Sequence, residues 1–495
     1  MSEHYPVLLV VLPLLAAPIC LLLRHGTASR ILAVLVAWTC LAMALEVLNQ
    51  VTSGENISYM LGGWAAPYGI EYRVDALNAY LLVIVSVIAS VVLPFGETSS
   101  DLTVRTGSLY LYHAAFLLCF CGLMGIAVTG DLFNVFVFLE VSSLASYALI
   151  GLGKGRRALR AAFSYLVMGT IGGTFFLIGV GLLYQKTGTL NMADLAVRVR
   201  ELTDAGVGLR SVIAAFAFLV TGVSIKLAVF PLHQWLPNAY THAPAKVSAF
   251  LAATATKVSF YLLLRVLFGI FGAAFVFGTL RLHVLLVPLS ILAMFSCSLA
   301  AIYQKDIKRM LAYSSIAQIG YMTLGLSTNT ELGLTGSIAH LFNHALTKGG
   351  LFLVVACVAF RLQSTKLEDW SGIGRRMPWT MAAFVLGGLS LIGVPGTVGF
   401  VSKWYLVLGA LDAEWLPVAI LILFSSLLAV VYVWRVVEIA WFREPPNDVE
   451  IKDAPLSLLL PTWLLIGGTV FFGLYTEITV DVARKAAGLL LGVAP

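Results

Sequence analysis

Apolar runs of about 20 residues, separated by short polar loops, fill this chain. A helix needs roughly that length to cross the hydrocarbon core of a bilayer, whereas a membrane strand needs about ten residues of alternating pattern. No such alternation is present, so the pattern predicts an all-α polytopic membrane protein and excludes an outer-membrane barrel. We read fourteen spans, at about 5–24, 28–50, 73–96, 109–129, 131–152, 160–185, 209–230, 244–269, 282–303, 308–328, 332–361, 378–411, 415–442 and 455–477. The fourth and fifth come from one stretch too long for a single helix, divided at Thr129-Gly130-Asp131. Two spans are interrupted. Span seven runs into Pro231, then Trp235-Leu236-Pro237. Span twelve meets Gly393-Val394-Pro395-Gly396 and Gly399. Proline removes an amide donor and glycine relaxes the backbone, so helices break there. Each break lies near a lysine, Lys226 and Lys403, and the second recurs five spans after the first. That predicts a duplicated five-helix unit whose copies are inverted, a transporter pattern. The plainer alternative is two unrelated proline kinks.

Composition narrows the class. Of 495 residues, 60% are hydrophobic and 11% charged, with mean hydropathy +0.94. Soluble domains carry about 25% charged residues and disordered chains have the opposite bias, so both are excluded. The net charge of +6 does not point to nucleic acid. Its basic residues lie in short loops, where positive charge sets topology. With the first loop cytoplasmic, that side receives Arg24 and Arg30, the run Lys154–Arg160, Lys305, Lys308 and Arg309, then Arg361, Lys366, Arg375 and Arg376. The other side receives Glu55, Glu71, Glu331, Asp412 and Glu414. Both termini are then expected outside. Two loops fit poorly: the mixed-charge connection between spans six and seven, and the acidic one after span thirteen (Asp448, Glu450, Asp453). All six cysteines lie in apolar runs without a C-x-x-C, so no Fe–S centre, zinc site or other cofactor is expected in this chain. The first run lacks a basic leader and a small-residue cleavage site, and no cleavable signal peptide is expected.

Charges at bilayer depth carry the functional argument. Glu140, Lys226, Lys257, Lys348 and Lys403 all fall inside apolar spans. A lysine at the bilayer centre costs about 2.5–3.5 kcal/mol on insertion scales, so four of them would cost roughly 10–14 kcal/mol. Such residues are expected to face a hydrated interior. Burial favours an uncharged lysine, and a nearby carboxylate favours the charged one. A lysine that gains and loses a carboxylate neighbour therefore loads and releases a proton. Glu140 and Lys226 are candidates for that switch, and a permanent structural ion pair is the alternative. His340, His344 and Lys348 are spaced i, i+4, i+8 and share one helix face. Histidine titrates near neutrality and passes protons through water. A metal site is disfavoured there, because lysine is a poor ligand and no third protein ligand is evident. Lys246 and Lys257, eleven residues apart, share a face. Lys246 is expected to snorkel to the interface, Arg265 to anchor near it, and Arg435 to pair with Glu438 one turn on.

Several long motifs resemble one family. Lys226-Leu-Ala-Val-Phe-Pro231-Leu-His233-Gln-Trp235-Leu-Pro237, followed by His242-Ala-Pro244 and Val247-Ser248-Ala249 and ending at Lys257, is similar to the antiporter-like subunits of respiratory complex I and of Mrp-type cation/proton antiporters. Lys308-Arg309-Met-Leu-Ala-Tyr313 to Gly320-Tyr321, the His340/His344/Lys348 helix and Pro395-Gly396…Gly399…Lys403 match as well. The stretch Leu61–Ile70, around Trp64 and Pro67, looks like the D-type subunit of Mrp antiporters. With little sequence after span fourteen, the chain is expected to lack the long lateral helix of the largest complex I antiporter-like subunit.

The resemblance implies spans one to three at 1–108, a first five-helix repeat at 109–270 and a second, inverted repeat at 271–442. Residues 443–495 then hold a cytoplasmic loop and span fourteen. It also implies that Glu140 tunes Lys226, that Lys257 is the central relay, that His340, His344 and Lys348 continue the route, and that Lys403 is the terminal exchange lysine. Two positions depart from the family pattern. Asn238 stands where Asp is common, and Lys246 where a small residue or proline is usual. The leading expectation is a proton-translocating subunit of a multisubunit Na⁺(K⁺)/H⁺ antiporter in a bacterial inner membrane. Its partners would be other membrane subunits, lipid, protons and monovalent cations, with no nucleic acid. A proton pump module in a redox-driven complex I-like oxidoreductase or membrane-bound hydrogenase is the alternative.

Overall fold

The computed structural model describes residues 2–54, 56–96, 109–153, 155–444 and 451–492; Glu55, Lys154, Asp448 and Glu450 lie outside them. Helices dominate. In chain order they are α1 (Tyr5–Leu23), α2 (Gly26–Thr52), α3 (Ala76–Val92), α4 (Leu109–Val128), α5 (Leu132–Gly151), α6 (Arg156–Thr187), α7 (Met192–Asp204), α8 (Leu209–Leu227) and α9 (Trp235–His242). There follow α10 (Ala245–Leu264), α11 (His283–Ile302), α12 (Ile307–Ser327), α13 (Glu331–Leu362), α14 (Pro378–Ile392), α15 (Val398–Asp412), α16 (Leu416–Phe442), α17 (Leu456–Leu474) and α18 (Glu477–Leu491). Among the described residues eleven helices are long and apolar enough to cross a membrane, and two shorter apolar helices join them. Each of the fourteen predicted segments is helical, and the molecule is an all-α polytopic membrane protein.

The turn between α4 and α5 falls at the predicted Thr129-Gly130-Asp131. Asp131 caps α5, its carboxylate accepting the Asn134 amide at 2.7 Å. Both predicted breaks are present. α8 stops at Lys226-Leu227, Ala228 takes a left-handed conformation, and α9 starts beyond Pro231. α14 stops at Ile392, Gly393 and Gly396 have positive φ, and α15 restarts at Val398, so Pro395 lies in the gap and Gly399 just inside α15.

Three elements go beyond the apolar reading. An antiparallel hairpin pairs β1 (Ile57–Met60) with β2 (Glu71–Val74), so α3 begins later than the expected span. The mixed-charge connection contains α7, where Asp194 and Arg198 form an i, i+4 ion pair at 3.0 Å. The connection before α17 uses Asp453 to hold the start of α14. Its carboxylate accepts the Trp379 amide at 2.8 Å and the Thr380 hydroxyl. Asp194, Arg198 and Asp453 therefore serve local structure.

α13 is the centre of the molecule. It is buried without interruption from Gly333 to Val358 and packs against α3, α10, α12, α14, α15, α17 and α18. α10 is almost as deeply buried and lies between α8 and α13. These two helices carry Lys257, His340, His344 and Lys348, so the fold puts its titratable groups where lipid is absent.

Candidate proton-transfer site

The ionisable residues fall into two clusters joined by α10. In the first, α5 brings Glu140 to the end of α8, where the Lys226 ammonium lies 3.4 Å from the Glu140 carboxylate. Lys226 also donates to the Ser143 hydroxyl at 2.6 Å. Ser143 follows Glu140 by three residues, so one face of α5 supplies both partners. Lys226 is buried, whereas the Glu140 side chain is 26% exposed on the flank of the chain.

A small cavity of about 20 Å³ touches Lys226, Ser142, Ser143, Ser146 and Ser259, between α5 and α10. That is room for one water, and the hydroxyls supply the partners it needs. Two residues before Ser259 lies Lys257, fully buried. It donates to the Ala252 carbonyl and, at 3.4 Å, to Thr256 Oγ1. Among the described residues no other predicted site residue shares a hydrogen bond with it.

The second cluster gathers around α13. The His340 and His344 rings stack with centroids 6.0 Å apart. His340 Nδ1 shares a hydrogen bond with Ser402 Oγ at 2.9 Å, and the Tyr321 ring centroid lies 6.0 Å from that of His340. Lys403 reaches the same tyrosine from α15, its ammonium 4.8 Å above the ring, and donates to the carbonyls of Leu391 and Ile392 at 3.0 and 2.8 Å. Those carbonyls close α14, so Lys403 sits on the negative end of a half-helix. Lys348 turns away from the histidines toward α12, donating to the Leu311 carbonyl at 3.0 Å and to Ser314. His340 Nε2 and both nitrogens of His344 are buried without a protein hydrogen bond among the described residues. Buried polar atoms ordinarily have partners, and a bridging water would supply them here.

Some expectations need correction. Lys246 is buried, not snorkelled: only 2% of it is exposed. Arg435 does not pair with Glu438. It donates to the carbonyls of Ile302 and Gln304 at the end of α11, and Glu438 pairs with Arg443 at 3.5 Å. Arg265 is anchored by an ion pair with Asp75 at 2.6 Å. Sequence reasoning missed Ser143, Ser402, Ser314 and Tyr321. The i+3 spacing of Ser143 from Glu140 was the one available signal.

The fold and this buried set of lysines, carboxylate and histidines define a polytopic membrane subunit with ionisable groups held along its interior. Residues 129–429 match the family described as NADH:quinone oxidoreductase/Mrp antiporter, TM, and the chain belongs to that family. It is 44% identical to the NADH-quinone oxidoreductase subunit N of Desulforudis audaxviator, over 96% of this chain and 97% of the relative. It is 32% identical to the D-type subunit of the Na(+)/H(+) antiporter of Alkalihalophilus pseudofirmus, over 98% and 97%. Among solved structures, a chain of the Mrp complex from Dietzia superposes with a TM-score of 0.90 at 25% identity, covering 99% of this chain and 97% of that one. The protein is thus a proton-translocating membrane subunit of the Mrp-antiporter or complex I-like kind.

Proposed function

We propose that this chain is the proton-translocating subunit of a multisubunit Mrp-type Na⁺(K⁺)/H⁺ antiporter of a bacterial cytoplasmic membrane, with both termini on the outer side. The observation that carries the reading is the contact of Glu140 with Lys226 at a helix break inside the membrane. A carboxylate beside a buried lysine favours the charged lysine, and its withdrawal favours the neutral one. Glu140 thereby loads Lys226 and frees its proton toward Lys257 through the serine-lined cavity. His340, His344 and Lys348 carry it on, and Lys403 exchanges it. Proton entry down its gradient is coupled to cation export by charge coupling through neighbouring subunits. The exposed flank of Glu140 supports such a neighbour, because a carboxylate facing hydrocarbon at mid-span is costly. On this reading the inverted repeats are 109–270 and 271–442, preceded by the helices of 1–108 and followed by α17.

A second reading places the same subunit in a redox-driven complex I-like enzyme, where partners carry the electron-transfer centres. Its support is the 44% identity to an NADH-quinone oxidoreductase subunit. Support for the antiporter comes from the full-length similarity to a D-type antiporter subunit and the superposition on an Mrp complex chain.

The test of proton transfer is common to both hosts. In the assembled complex, Lys226→Ala, Glu140→Ala and Lys257→Ala should each abolish proton flux across vesicle membranes. Wild-type flux in assembled Lys226→Ala or Glu140→Ala would reject the switch, and in Lys257→Ala would make that lysine structural.

A further inference from the structure

Only Thr328, Asn329 and Thr330 join α12 to α13, so the two helices run antiparallel and pack side by side. Their register is fixed at three levels. The Ser337 hydroxyl of α13 donates to the Met322 carbonyl of α12 at 3.0 Å. The Tyr321 and His340 rings meet next, with centroids 6.0 Å apart. Farther along, Lys348 donates to Ser314. Gln318 stands between Tyr321 and Ser314, and this register puts it level with His344, which stands between His340 and Lys348. Ser314, Gln318 and Tyr321 are spaced i, i+4, i+7, so one face of α12 carries all three. The ends of this ladder are in contact and its middle is not. Gln318 is only 2% exposed, and its amide makes no hydrogen bond among the described residues. Both nitrogens of His344 and Nε2 of His340 are in the same condition. Lys348 does not serve them, because its ammonium is committed to Ser314 and to the Leu311 carbonyl at 3.0 Å. Buried polar atoms left without partners are costly. A buried water makes about three hydrogen bonds, and this level offers it an amide oxygen, an amide N–H and imidazole nitrogens.

We infer that Gln318 is a positioning residue of the proton route, holding a bridging water between His344 and Lys348. The inference rests on the reading of the α13 row as a relay. An amide suits the task. Its oxygen accepts from the water and its nitrogen donates to it, and the group does not titrate, so it orients the water without competing for the proton. In the forward step the His344 imidazolium gives one proton to the water while the water gives one to the neutral Lys348 amine. The imidazole and the water are left neutral, the amine becomes an ammonium, and Gln318 is unchanged. A glutamine that served only to join the helices would be bonded across them, as Ser337 and Ser314 are.

Two substitutions test this in the intact complex in sealed vesicles. Gln318→Met keeps the length and volume of the side chain and removes its hydrogen bonding. Gln318→Asn keeps the amide. Proton flux in Gln318→Met should fall by about tenfold or more, the scale of one lost orienting hydrogen bond. The melting temperature of that complex should stay at or above the unsubstituted value, because no protein hydrogen bond is broken. Gln318→Asn should keep most of the flux. Wild-type flux in assembled Gln318→Met would overturn the inference. So would failure of Gln318→Met to assemble, a melting temperature that falls along with its flux, or an equal loss of flux in Gln318→Asn, since each marks a packing role. Lys348→Ala separates the two failures. If it is inactive while Gln318→Met keeps wild-type flux, the positioning role alone falls; if it is fully active, the relay reading fails at Lys348 and takes the inference with it.

Discussion

Glu140 reaches Lys226 because position 173 on α6 has no side chain. A Cβ on Gly173 would sit 2.2 Å from Glu140 Oε1, far inside contact distance, with Phe136 the next neighbour at 3.8 Å. The atom in the way is the tip of a flexible side chain, so Gly173→Ala should fold and assemble by turning the carboxylate aside. If the pair is the switch, that variant loses much of its proton flux with every charged residue still in place. Normal flux in assembled Gly173→Ala would show that the carboxylate need not stand where it does. Little of this was legible in the sequence. The cost of each buried charge was readable from its apolar setting, but Glu140 and Lys226 lie 86 residues apart, and no local period encodes such a contact. The resemblance implied the pair; only the packing of α5, α6 and α8 brings it together. The hydroxyls that complete the sites were missed because serine and tyrosine are common in membrane helices and carry no signal of their own.

At the scale of elements, the two breaks were readable because proline and glycine punctuate helices directly. Their chemistry differs in a way the sequence did not disclose. Lys226 lies on the last turn before its break and meets a carboxylate, whereas Lys403 lies beyond its break and meets the open carbonyls of the half-helix behind it. The second arrangement needs α14 and α15 to touch closely, and Gly399 allows it: a Cβ there would lie 1.7 Å from the Ser390 carbonyl oxygen. Backbone cannot swing aside as a carboxylate can. Gly399→Ala should therefore force the half-helices apart and lower the thermal stability of the purified complex, in contrast to the milder Gly173→Ala. An unchanged melting temperature would mean that the break tolerates a wider gap. The hairpin, α7 and α18 stayed hidden for another reason. A scan for long apolar runs does not register short amphipathic or extended segments. Arg435 likewise followed tertiary opportunity over helical spacing, since the carbonyls ending α11 attract a guanidinium more strongly than an exposed acid one turn away.

For the whole molecule, the proposed arrangement is a proton conductor coupled to its energy source through partner subunits. Its charged groups run along α10 and α13 through the buried middle, and Glu140 lies open on one flank, where a neighbour would complete it. The same conductor would serve an ion gradient or an electron-transfer chain, which is why the fold and the site constrain the class of machine more tightly than its fuel. The fuel is a property of the partners, so it is tested by isolating them. Mild-detergent purification of this chain from its native membrane should recover several small membrane subunits and no stoichiometric iron. Vesicles holding that complex should then change internal pH when Na⁺ or K⁺ is added, and Lys257→Ala should abolish the response. Co-purifying Fe–S subunits, with proton flux that follows an electron donor instead of a cation, would overturn the antiporter. They would leave the relay intact and assign it to a redox-driven pump.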